Sequence, residues 1–384
     1  MTKPIKGRGA VSNRASRFDE IKRERVDDGW YQEEEAPPRT EVMPDSNRSI
    51  ITYNESPDIP FDRSINPYKG CEHACAYCYA RPSHAYLGLS PGLDFETKLF
   101  AKFKAAELLR QELAKPRYRP APISLGANTD PYQPVERKLR ITRAVLQVLH
   151  DTRHPVAVIT KSALIERDID LLAPMAERNL AQAAVSVTTL SADLSRRLEP
   201  RATAPHRRLR AIKTLAEAGI PVTVMFAPVI PALNDAEMED VLGAAREAGA
   251  RSAAFVLLRL PREVNEIFEE WLAVHEPGKA QHVMSLVQQM REGRHNQSEF
   301  GARMTGKGLF AQLLQKRFRL ACSRLGLNRT RSELDCSQFR PPPVGGQLSL
   351  FRETPISSLR SRMSHSGALR RLVCEQCLIR GVSR

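Results

Sequence analysis

Three of the seven cysteines of this 384-residue chain lie within eight positions, in the stretch NPYKGCEHACAYCYAR. Cys71, Cys75 and Cys78 have the spacing C-x3-C-x2-C, with no fourth cysteine nearby. Thiolates this close on one loop are suited to hold a compact metal centre. A structural zinc ion normally takes four ligands in paired knuckles, and here the fourth would have to be His73 or the distant Cys377. A cubane iron–sulfur cluster accepts three cysteines if one iron stays open to another ligand. Such an open position marks a chemically active centre.

The chain must place that loop, and its hydrophobic pattern suggests how. Short apolar runs at 123–127, 156–161, 183–189, 222–230 and 252–260 read as strands, with a shorter one near 63–67 leading into the cysteines. Helical patterns fall between them at 94–114, 141–153, 163–179, 206–219 and 236–249. Gly219 and Gly249 each precede a strand, where a left-handed helix cap is expected. Alternation of this kind predicts βαβ units and a parallel sheet. Six repeats suit a partial barrel, in which chemistry sits at the C-terminal strand ends. A doubly wound open sheet fits the hydrophobic pattern as well.

Residues 264–330 read as further helices, clearest at 279–292 and 308–325. The expected domains are a flexible N-terminal arm and lead-in (1–59), a β/α core (60–262), a helical extension (263–340) and a flexible basic tail (341–384). No charged segment followed by an apolar one opens the chain, and no apolar run approaches the ~20 residues of a membrane span. The expectation is a cytoplasmic protein without membrane association, where reduced thiols favour a metal site over disulfides. The formal net charge of +14 favours polyanionic partners.

The C-x3-C-x2-C run, with Tyr77 directly before the third cysteine, resembles the signature of the radical S-adenosylmethionine (AdoMet) superfamily. The resemblance implies an α/β fold, a partial (β/α)6 TIM-like barrel. It also implies a 4Fe-4S cluster on Cys71, Cys75 and Cys78, AdoMet bound at the open iron, and an external one-electron donor. One electron would cleave AdoMet to methionine and a 5′-deoxyadenosyl radical. AdoMet contacts are then expected from Thr129 and Asp130 after the second strand, Lys161 after the third, and Ser186, Thr188, Glu199 and Arg201 around the fourth.

The runs C-x3-C-x-Y-C-Y, TDPYQPVE and SVTT…LEPR…PVIP further resemble the spore photoproduct lyase-like group, over roughly residues 60–340. That likeness implies DNA as substrate and roles for Tyr77 and Tyr79 near AdoMet and on a hydrogen-return path. One departure stands out. The lyase returns hydrogen from a cysteine at its second strand end, where this chain has Ala127. Radical modification of RNA or of a protein is the alternative activity.

Two signals lie near the end of the chain. Gln347, Leu348, Ser349, Leu350 and Phe351 resemble the peptide by which bacterial proteins bind the sliding clamp, which makes the clamp a candidate partner. A non-catalytic iron–sulfur adaptor docking on the clamp is therefore a further reading. Cys374 and Cys377 form a pair without a partner pair.

Overall fold

The computed structural model describes residues 5–19, 38–330 and 333–343. Its main sheet contains seven strands in the order β10-β9-β8-β7-β6-β3-β2. These are β2 (Ile51–Tyr53), β3 (Arg63–Ile65), β6 (Ile123–Leu125), β7 (Val156–Thr160), β8 (Ala181–Ser186), β9 (Val222–Val229) and β10 (Ser252–Leu257). From β3 to β10 every neighbouring pair is parallel; β2 adds an antiparallel edge. The six parallel strands lie in chain order with no reversal, so the doubly wound alternative is set aside. The sheet's ends, β10 and β2, are not joined to each other. The result is the partial (β/α)6 arrangement.

Each crossover is built from sequence features with local causes. The helix Ile141–Asp151 buries Ile141, Val145, Leu146, Val148 and Leu149 on one face. The helix Pro205–Glu217 starts with proline, whose missing N–H costs nothing there, and buries Ala211, Ile212 and Leu215. Gly219 and Gly249 take positive φ, as expected where a helix ends just before a strand. Along β9 the deeply buried Val222, Val224 and Phe226 pack with the helix residues Ile212, Leu215 and Val241 in the main core. The alternate residues Thr223, Met225 and Ala227 are only half-buried and face the opposite side.

Two expectations change. The pattern at 94–114 forms two helices, Leu93–Thr97 and Ala105–Leu113, with β5 (Lys98–Ala101) between them. Leu99 and Ala101 are buried at strand spacing while β5 pairs with β1 (Glu41–Pro44) and β4 (Tyr68–Lys69) in a small second sheet. The segment 1–59 is not wholly a loose arm. Residues 5–19 are seated on the core, with Ala10, Val11 and Ser16 buried. Polar side chains with partners far along the chain hold them there: Ser12 and Arg14 on Glu270, Asn13 on Asp94, and Arg17 on Glu263. The low apolar content of this segment concealed an attachment made by charges.

The helices Val264–His275 and Ala280–Gln289 pack Val264, Phe268, Trp271, Leu272, Val283 and Val287 against Cys75, Ala76 and Tyr77 of the cysteine loop. The helix Gly308–Leu325 covers the outer side of β10, with Phe318 against Phe255. Among the described residues no helix is long and apolar enough to cross a membrane.

Gly126 ends β6 with φ +93°, and a Cβ there would lie 2.4 Å from Pro131 Cδ and 2.6 Å from the Ile159 carbonyl. Both backbone strain and overlap oppose a side chain. Gly126→Ala is expected to lower the unfolding free energy by about 3 kcal/mol in anaerobic urea titrations, whereas the open Gly243→Ala should leave it unchanged or raise it.

Candidate active site

The cysteine loop begins after β4, at Gly70, whose positive φ turns the chain under the Phe95 carbonyl. Cys71 N–H then donates to that carbonyl at 2.9 Å. Cys71 and Cys75 are buried, Cys78 is half-buried, and none is in a disulfide. Burial pushes all three thiols above their ordinary range, and their mutual proximity adds to the shift at Cys71. Lys161 and Arg208 act in the opposite direction at Cys75, as Arg81 and Lys161 do at Cys78. Three unpaired, adjoining thiols beside fixed cations suit an anionic thiolate-bound cluster, whose binding would release the thiol protons. Among the described residues, no group of three His, Cys, Asp or Glu side chains is gathered for a single metal ion. The fit is to a cluster's donor set.

Arg81 and Glu96, both fully buried, form the loop's central fastening. The Arg81 guanidinium donates twice to the Cys75 carbonyl, at 3.0 and 2.8 Å, and also to the Pro91 and Gly92 carbonyls. It completes its set on Glu96 at 2.5 Å. Glu96 in turn accepts from Gly9 and Ala10 N–H, which brings the N-terminal strap onto the loop. The approach is close: a Cβ on Gly9 would lie 1.8 Å from the Ala74 carbonyl oxygen.

The TDPYQPVE run, expected to contact AdoMet through Thr129 and Asp130, instead makes its observed bonds to the loop and its surroundings. Thr129 Oγ1 donates to the Tyr68 carbonyl at 2.6 Å. Gln133 accepts from Glu72 N–H and donates to the Gly70 carbonyl. Glu136 receives the Tyr68 hydroxyl and an Arg167 ion pair. Asp130 accepts from Thr160 Oγ1, Lys161 N–H and Tyr132 N–H, and lies 3.4 Å from His73 Nδ1. Burial alone would raise the Asp130 carboxyl, but the His73 ring and these donors hold it below the usual range.

A second buried group closes the floor. Glu199 accepts from Arg208, Tyr77 and Thr188, with Lys161 Nζ at 3.9 Å. Arg208 also donates to the Ser186 and Thr203 carbonyls. Burial by itself would raise the Glu199 carboxyl; Arg208 and Lys161 outweigh it and hold it at about 2. Burial, then the Glu199 charge, push Tyr77 upward, so its hydroxyl remains a proton donor to Glu199.

The expected site residues therefore divide. Tyr77, Thr188 and Glu199 are occupied with one another, and Arg201 bonds Glu72 while its N–H reaches the His73 carbonyl. These four position the cysteine loop and the floor beneath it. Lys161 and Ser186 are less fully engaged: Lys161 extends over the Tyr77 ring with its Nζ 3.9 Å from Glu199 and 3.5 Å from the Ala227 carbonyl, and the Ser186 hydroxyl has no hydrogen-bond partner among the described residues. Tyr79 is 44% exposed and donates its hydroxyl to the Ala127 carbonyl, at the strand end that lacks the lyase-like cysteine. Sequence reasoning missed Arg81, Glu96, Gln133 and Arg208. Of these, Arg81 and Gln133 lay in runs already singled out, Arg81 as the last residue of the cysteine stretch. The peptide 347–351 and the pair Cys374 and Cys377 lie outside the described residues.

Residues 65–245 match the Radical SAM superfamily. The family uses a 4Fe-4S cluster and AdoMet, in agreement with the thiol set. Among particular proteins, the chain is 37% identical over 221 residues to an uncharacterised protein of Mycobacterium tuberculosis, covering 57% of this chain and 65% of that one. An uncharacterised protein of Methanocaldococcus jannaschii is 29% identical over 173 residues, covering 45% and 62%. The chain thus spans less than two thirds of these relatives' length. Spore photoproduct lyase complexed with dinucleoside spore photoproduct shares the fold, with a TM-score of 0.53 at 13% identity, over 74% of this chain and 80% of that one.

Two measurements test the site's supports. Arg81→Met and Glu96→Met should each lower the unfolding free energy by about 3–5 kcal/mol, since each leaves a buried charge without its partner. The Arg81→Met/Glu96→Met pair should cost clearly less than the sum of its single changes in a double-mutant cycle. Glu199, lowered from 4.5 to about 2, supplies stability that is fully present above about pH 4.5 and lost as pH falls towards about 2. The unfolding midpoint of the wild-type chain should decline over that window, and Glu199→Gln should remove that part of the slope.

Proposed function

We propose that the protein is a radical AdoMet enzyme acting on nucleic acid, with DNA the leading substrate class and a lyase-like reaction. The observation that carries the reading is the set of three unpaired thiols, Cys71, Cys75 and Cys78, beside strand ends where the Ser186 hydroxyl has no partner among the described residues and Lys161 Nζ makes only long contacts. Cys71, Cys75 and Cys78 would hold the cluster, and reductive cleavage of AdoMet there supplies a 5′-deoxyadenosyl radical with one electron from an external donor. Lys161 is suited to the AdoMet carboxylate and Ser186 to its hydroxyl or amino groups. The Glu199, Arg208 and Tyr77 group keeps the floor rigid and closed to water. Buried Arg81 fixes the carbonyl of Cys75 and hence the loop's orientation.

The DNA assignment draws support from the net charge of +14 and from the likeness to a lyase whose structure contains a dinucleoside lesion. Ala127 argues against the lyase's own hydrogen-return route. Tyr79, whose hydroxyl stands at Ala127, is the group at hand for that task.

The test is anaerobic. After cluster reconstitution, AdoMet and dithionite should yield 5′-deoxyadenosine from the wild-type chain and none from Cys75→Ala. Stimulation by irradiated DNA supports the DNA reading; stimulation only by RNA or protein replaces the substrate. A wild-type chain with an intact cluster that yields no product, with or without these substrates, refutes the enzymatic reading.

A further inference from the structure

At the C-terminal end of β10 the chain continues into Leu258, Arg259 and Leu260, and Arg259 has neither the environment nor the partner of an ordinary surface arginine. Its guanidinium carbon lies 5.5 Å from the centre of the Tyr79 ring. Tyr79 directly follows Cys78 and reaches across to the end of β6 through the Ala127 carbonyl. Arg259 therefore stands at a mouth on the C-terminal strand ends, one residue's side chain away from the cysteine loop.

No carboxylate pairs with Arg259 among the described residues. Its Nε is buried without a hydrogen-bond partner, and its nearest polar contact is the soft Met304 sulfur at 3.7 Å. The neighbouring charges make this arrangement costlier. Arg291 is fully buried and also lacks an acidic partner; it spends its donors on the Leu258, Ala302 and Arg303 carbonyls. Arg303 is close enough to repel Arg259, but Asp58 neutralises it. Two guanidinium groups without an ion-pair partner thus share one corner of the mouth: Arg291 is engaged by three carbonyls with its Nε alone unpartnered, whereas Arg259 has only the Met304 sulfur. A partly buried cation of this kind is retained where a ligand supplies the missing anion.

We infer that Arg259 is a substrate-binding residue that takes a phosphodiester group of a nucleic-acid strand, with the exposed Tyr79 ring as the adjoining stacking surface. The pairing of a forked guanidinium with an aromatic face is the chemistry single strands require: the cation takes the backbone and the ring takes a base. It would bring the strand's reacting nucleotide beside the cysteine loop. The inference rests on the nucleic-acid reading above and deepens it by naming the group held and the residue that holds it.

The experiment measures binding of a fluorescein-labelled single-stranded DNA oligonucleotide to the reconstituted full chain across a salt series. Wild type, Arg259→Gln, Arg259→Lys and Arg117→Gln are compared, the last removing an exposed arginine at the opposite, N-terminal side of β6. Arg259→Gln should weaken binding about tenfold and reduce the slope of log K against log salt by about 0.7, one phosphate contact on a single strand. Arg259→Lys should keep the slope but not the full affinity, and Arg117→Gln should match wild type. Thermal transitions establish that each variant is folded, and AdoMet titration of the same samples identifies the anion. Equal binding and slope for wild type and Arg259→Gln overturns the inference while leaving the nucleic-acid reading intact. Loss of AdoMet affinity alone assigns Arg259 to the AdoMet carboxylate and also overturns it. A wild-type chain without salt-dependent oligonucleotide binding removes the nucleic-acid reading itself.

Discussion

The buried ion pair between Arg81 and Glu96 is the constraint on which the rest of the site depends. Neither group is tolerable alone in a fully desolvated position. Together they consume almost every donor and acceptor they possess. Arg81 faces the Cys75 carbonyl on one side and the turn at Pro91 and Gly92 on the other. Glu96 faces the N–H groups of Gly9 and Ala10. A loop with three cysteines and little regular structure is thereby fixed by charge-assisted bonds to its backbone, which leave the sulfur atoms uncommitted. A hydrophobic plug of equal size could fill the space, but it could not set the direction of three carbonyls.

Further out, the site is organised as concentric tasks. The residues after β6 grip the loop through Thr129, Gln133 and Asp130, and those after β8 grip it through Arg201 and the floor group at Glu199. The helices Val264–His275 and Ala280–Gln289 supply an apolar backing. What is only weakly engaged at the mouth, among the described residues, is a short set: Lys161, Ser186, the exposed face of Tyr79, and Arg259. The separation is physically sensible. Groups that must be rigid are saturated with internal bonds, and groups that meet ligands are left with capacity.

Much of this was legible in the sequence, and the failures have definite causes. The six parallel strands and their crossover helices follow from apolar runs alternating with amphipathic ones, but their spatial order, which separates a partial barrel from a doubly wound sheet, does not. The cysteine spacing singled out Cys71, Cys75 and Cys78 as a candidate donor set, and the structure leaves all three thiols unpaired. The TDPYQPVE run was recognised as part of the site, yet its task was not. Polar residues near a cofactor and polar residues that hold the cofactor's loop look identical in one dimension. Only the distances distinguish Thr129, turned to the Tyr68 carbonyl, from Ser186, turned to nothing. Arg81 and Glu96 were invisible for a related reason: charge suggests surface, and nothing local announces that two charges will be buried on each other. The strand Lys98–Ala101 was absorbed into a helix because its neighbours are helical and its pairing partners lie far off in the chain.

The strap formed by residues 5–19 has a bearing on the order of assembly. Its charged contacts reach Glu263 and Glu270, which lie 246 and 256 positions later than Arg17 and Arg14. On a chain made from its N-terminus these partners emerge long after the cysteine loop itself. The strap's bonds to Asp94 and Glu96 can form as soon as the cysteine loop exists, but its contacts to Glu263 and Glu270 can be completed only when the first helix of the extension has been made. The segment that lies against Ala74 is thus fastened in two stages, set apart by the length of the chain.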